Sequence, residues 1–133
     1  MDLNRTPAEI SRAMAEEARA LNHRTIDGKV FETPIDIAYT AEGIMAVVQR
    51  LPQALQQLEA GLEILRDSNR IRLADRHPSE VTNEALARAV ATVLVGLQDA
   101  RAALGTVEEH LQDANRVLSN LGAPWPDNGD DQD

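Results

Sequence analysis

The strongest constraint on this chain is a spacing. In one stretch, Ile37, Ala41, Ile44, Val48, Leu51, Leu55, Leu58, Leu62 and Leu65 follow one another at intervals of 4 and 3 without a break. A second stretch repeats it with Leu86, Val90, Val93, Leu97, Ala100, Leu104, Val107, Leu111, Ala114, Leu118 and Leu121. Residues that recur every 3.5 positions on average share one side of an α-helix, whereas a strand would scatter them over both faces. The spacing therefore predicts two long helices, over about 35–67 and 80–121. Residues Ser68 to Pro78 interrupt the pattern with Asn, Pro and charged residues and read as the connection. Two apolar stripes joined by a short connection bury themselves most directly by folding back antiparallel. The expected fold class is all-α: a short N-terminal helix packed on a long antiparallel two-helix hairpin with coiled-coil-like seams, completed into a helical bundle by dimerisation.

Local signals mark the ends. Thr6-Pro7-Ala8-Glu9 has the form of a capping box with proline at the first helical position, which starts a helix over about 7–21. Its apolar face of Ile10, Met14 and Leu21 is too thin to hold a helix that lies on nothing. Thr33-Pro34 starts the first long helix, Ser79 or Thr82 the second, and Gly122 followed by Pro124 marks the end. Pro52 lacks an amide donor and is expected to kink or split its helix near Arg50-Leu51. Between the first two helices, Asp27-Gly28 could turn a very small β-ribbon, but an irregular connection anchored by Ile26 and Phe31 is the preferred reading. The whole is expected to be one domain over residues 1–122, followed by a disordered acidic tail at 123–133.

Composition removes several classes of function. Twenty-two acidic against 13 basic residues give a net charge of −9, which repels phosphate backbones and argues against nucleic acid as a partner. No cysteine is present, so disulfides, thiolate metal sites and thiol catalysis are excluded. The opening MDLNRTPAEI lacks the pattern of a secretory signal, and the longest uncharged apolar run, Ala89 to Leu97, is short for a membrane span. A cytoplasmic protein is expected, with no membrane partner.

Signatures of chemistry are also missing. No phosphate-binding glycine loop, nucleophile elbow or zinc-binding His-Glu motif occurs. His110 and Asp113 stand one helical turn apart, but outside the stripe, where a solvated pair is the ordinary outcome. Neither stripe as written contains a carboxylate. No catalytic, metal or cofactor residues are predicted. Two other features stand out. Arg66, Arg70, Arg72 and Arg76 gather at the hairpin tip, a candidate partner-binding site in an otherwise acidic chain. Ile44 to Val48 and Ala89 to Leu97 are apolar on nearly every side of their helices, so one facing helix cannot cover them. Val47, Leu94, Val95 and Gly96 are the candidate self-association residues.

Three functional classes follow from this. The first is a non-enzymatic interaction or oligomerisation protein, most simply a homodimer, with a further protein partner as an option. The second rests on a resemblance: a small, acidic, cysteine-free helical hairpin is similar in architecture to the WXG100 class of type VII secretion substrates, which implies an exported hairpin or its chaperone. The Trp-x-Gly of that class is absent from Ser68–Pro78. The one tryptophan instead lies in Trp125-Pro126-Asp127, and Gly43 follows Tyr39 where the export signal carries an acid. The third is an enzyme or small-ligand binder with a site inside the bundle, against which the scarcity of aromatic residues and of polar residues in the stripes both argue.

Overall fold

The computed structural model describes residues 1–126, and the expected tail lies outside the described residues from 127 onward. Among the described residues there are three α-helices, α1 (Pro7–Arg24), α2 (Pro34–Asp67) and α3 (Asn83–Leu118), and one 3₁₀ turn at Pro78–Glu80. No strand occurs among the described residues. At α1 the capping box is present, with the Glu9 amide donating to Thr6 Oγ1 at 3.2 Å and the Thr6 amide to Glu9 Oε2 at 2.7 Å. At α2 the carboxylate of Asp36 accepts from the amides of both Glu32 and Thr33. Those two backbone hydrogen bonds, Thr33 first, hold the Asp36 pKa below its ordinary value. Thr82 caps α3 by accepting from the amide of Ala85.

The local structure differs in part from these expectations. α2 is not split at Pro52; it runs without interruption to Asp67, because one missing amide forfeits one hydrogen bond in a helix otherwise held along its length. α3 stops at Leu118, short of Gly122, where Ser119 Oγ and Asn120 Nδ2 both donate to the carbonyl of Arg116 and take over the helix end. In the α1–α2 connection, successive turns form around Gly28 at φ 69°, and the Lys29 amide donates to Asp27 Oδ1. Phe31 is half-buried there, but Ile26 is exposed and anchors nothing.

α2 and α3 pack on each other and run in opposite senses: Gln49 Nε2 donates to Glu108 Oε1 at 3.3 Å, and ten residues further along α2, Glu59 meets Arg101 at 3.0 Å. The side turned inward differs by one position from the stripe predicted. From α2 it carries Ala38, Ala41, Met45, Val48, Pro52, Leu55, Glu59 and Leu62. From α3 it carries Val90, Leu94, Leu97, Arg101, Leu104, Glu108, Leu111, Asn115 and Leu118. Along the contact, alternate members of the predicted stripe are kept and the members between them are replaced by their C-terminal neighbours, while Leu65, Leu86 and Leu121 at its ends have no such replacement. The apolar arc of each helix spans three positions per heptad, wider than one partner can cover, and the pair meets along one edge of that arc. The replacements place a carboxylate in the contact: Glu59 is 7% exposed. The expectation of a seam free of acids therefore fails at its centre.

Candidate functional site

The residues displaced from the contact form a second stripe. On α2 these are Ile37, Ile44, Leu51, Leu58 and Leu65; on α3 they are Leu86, Val93, Ala100, Val107 and Ala114, with Leu121 just past the helix end. Apart from Leu65, Leu86 and Leu121 at the ends, each stands one residue before an inward position. In an antiparallel pair the positions preceding the inward row lie on the same flank of both helices, so the two sets join into one apolar face. The opposite flank confirms the geometry. There Gln49 of α2 and Gln112 of α3 converge on one oxygen of Glu108, at 3.3 and 3.2 Å, and the remaining flank positions include Glu42, Gln56, Glu63 and Gln98. The hairpin thus has one polar flank and one apolar flank.

Little in the chain covers the apolar flank. Leu58 is 56% exposed, and Ile37, Ile44, Val93 and Val107 are exposed as well. Only Met45 and Val90 are buried among the described apolar residues. Exposing a large aliphatic side chain forfeits about 1.5–3 kcal/mol relative to burial, and several are exposed together here.

α1 stands on this side of α2 without closing it. No Cα of α1 comes within 8 Å of α2 or α3, whereas close-packed helices have axes 8–10 Å apart and bring Cα atoms nearer than that. The expected packing of the N-terminal helix on the hairpin is replaced by an open cleft of about 1070 Å³ between α1 and α2. Ile10, Met14 and Leu21 line it from α1, and Tyr39, Ile44 and Val47 from α2. Its polar groups, including Arg5, Glu17 and Thr40, sit among apolar ones and form no acid–base pair. Among the described residues no group of three His, Cys, Asp or Glu side chains is placed to hold a metal ion, and Asp113, the partner considered for His110, pairs with Arg116.

The other predicted residues are distributed as follows. Val47 lines the cleft, and Val95 and Gly96 are exposed on the outside of α3. Leu94 is half-buried in the α2–α3 contact, and Val93, expected in that contact, takes the exposed place. At the tip, Arg66 pairs with Asp67 at 3.2 Å, while Arg70, Arg72 and Arg76 are exposed. Ile71 and Leu73 are half-buried between them, and His77 Nδ1 accepts from the amide of Ser79, fixing the 3₁₀ turn. Sequence reasoning missed the Glu59–Arg101 pair. The one signal for it was the breadth of the apolar arc, which allowed the contact to settle off its centre.

By length and hydropathy α3 is long and apolar enough to cross a membrane, a property the uncharged run alone did not reveal; it carries Asp99 and Arg101 near its middle. No family model matches the chain, and no match is found among curated proteins or solved structures.

Proposed function

We propose that this chain is a non-enzymatic helical interaction protein whose first partner is a second copy of itself. The observation that carries the reading is the apolar flank: a row of Ile, Leu, Val and Ala along both long helices, with only two apolar residues buried among those described. A protein this apolar on one side associates through that side. A bilayer is the less favourable partner, since Asp99 and Arg101 would each cost about 2.5–3.5 kcal/mol near the centre of a spanning helix. The cleft offers no set of convergent titratable groups for catalysis, and the overall acidity disfavours nucleic acid.

Light scattering coupled to size exclusion tests this reading. The expected mass at micromolar concentration is twice the 14.5 kDa of the chain. Val93→Glu, on the apolar flank, is expected to raise the dimer dissociation constant roughly a hundredfold, because a carboxylate would be buried without a partner. Gln98→Glu, on the polar flank, is expected to leave it unchanged. A unmodified chain that stays monomeric would defeat the reading.

A further inference from the structure

Resting on that reading, we infer that the cleft between α1 and α2 is the seat for the loop-end half of a second copy's hairpin, in a twofold arrangement in which each copy's cleft receives the other's loop end.

The lengths fit. α1 has 18 residues and α3 has 36, about 27 and 54 Å at helical rise, so α1 accompanies only half of the hairpin. Its cleft neighbours on α2 all lie between residues 39 and 48, at the open end. The loop-end half, with Leu58, Leu65, Leu86 and Val93, has the same apolar flank and no α1 above it. One molecule therefore has one cleft without an occupant and one apolar half without a cover. Antiparallel pairing about a twofold axis brings these together twice, which closes the assembly at two copies.

The surface area agrees. The chain exposes 10967 Å², against about 6,900 Å² for a compact monomer of its mass. A rod shape accounts for part of the difference. The whole difference is about 4,000 Å², and each chain of a stable homodimer buries on the order of 1,000–2,500 Å². Charge agrees too. The docked tip, where Arg70, Arg72 and Arg76 outnumber Asp75, would lie beside the partner's α1–α2 connection, where Asp27 and Glu32 outnumber Lys29.

Two of the four helical glycines, all of which have room for a Cβ, are compatible with this seating. Gly61 and Gly96 lie inside long helices, where glycine costs roughly 1 kcal/mol relative to alanine, and a Cβ added at either would meet nothing within 4 Å. Packing within the chain does not require their smallness. Both lie in the loop-end half, on the outer side of the apolar flank, where the partner's α1 would approach.

Because the chain has no cysteine, single cysteines can report the arrangement directly. Met14→Cys chains are mixed with Leu58→Cys chains and treated with a short flexible bismaleimide. A second mixture, Ala18→Cys with Gly61→Cys, replaces small residues by the smallest change that carries a thiol. The control pairs Met14→Cys with Gln56→Cys on the polar flank. Light scattering first establishes the mass of each unlinked mixture. Cross-chain product at least tenfold above the control in either mixture is the expected result. A dimer that links neither pair above the control would overturn the seating in the cleft while leaving self-association standing. A monomeric unmodified chain would overturn both.

Discussion

The stripe that α2 and α3 bury between them is more polar than the stripe beside it that they leave open. The buried one contains Glu59, Arg101, Glu108 and Asn115, and the side chains of Arg101 and Asn115 each keep one buried polar atom without a partner. The open one, one residue away on each helix, is all Ile, Leu, Val and Ala. Hydrophobic burial is non-directional and would favour the reverse if the hairpin were the whole structure. The difference teaches that the hairpin contact is one of at least two interfaces these helices are built to make. In the contact that forms within the chain, polar groups fix which residue faces which; on the flank, aliphatic area is left for association.

Glu59 and Arg101 are where this comparison breaks most easily. Glu59→Ala leaves a guanidinium in the contact without its carboxylate, and the loss is expected to be about 2–3 kcal/mol, less than for a fully buried pair because Arg101 retains some solvent. Replacing both residues by leucine should recover stability to within about 1 kcal/mol, because the aliphatic pair has no charge to desolvate. Thermal melts followed by circular dichroism measure both. If Glu59→Ala were neutral, the ion pair would have no part in fixing the contact.

Much of the fold can be read from the sequence, and the point at which reading stops is physical. Thr6 and Thr33 announce two helix starts, and Ser79 or Thr82 the third, because a cap is a local hydrogen bond that needs no tertiary partner; the structure selects Thr82. The two long helices follow from periodicity for a similar reason. Periodicity does not say which edge of a broad apolar arc meets a given neighbour. Leu58 and Glu59 differ by one position, and their burial is decided by how many partners share the arc, so the rows chosen from spacing alone were correct at every second residue. The position of α1 was equally beyond reach. Ile10, Met14 and Leu21 show that it must lie on something, but the standoff from α2 depends on what else enters the space. The candidate site meets both limits: Val47 lines the cleft, whereas Leu94 is half-buried in the α2–α3 contact and the exposure expected of it belongs to Val93.

Glycine sharpens the comparison between flanks at smaller cost. Gly96 lies toward the apolar flank and Gly105 on the polar one, both inside α3 and both with room for a Cβ. In an isolated chain, alanine at either position should stabilise the helix by up to about 1 kcal/mol. In the assembled protein only Gly105→Ala should do so. Gly96→Ala, and more strongly Gly96→Leu, should weaken self-association, which dilution series followed by light scattering would reveal. Equal gains at the two positions would place Gly96 outside any interface.

The smallest effect lies at the start of α2, where neither stripe acts, and it supplies the reference against which the others are read. Asp36 is half-buried and its carboxylate is held ionised by the amides of Thr33 and Glu32, which lowers its pKa. A carboxyl group with a lowered pKa in the folded state stabilises the fold above its ordinary value of 3.8, and that contribution disappears as pH falls through the lowered pKa. Asp36→Asn should therefore lower the melting temperature slightly at neutral pH, and the gap to the unmodified chain should close on acidification below that range. A gap that persisted in acid would show that Asp36 acts through its shape and its amide contacts, and that its charge contributes nothing to the start of α2.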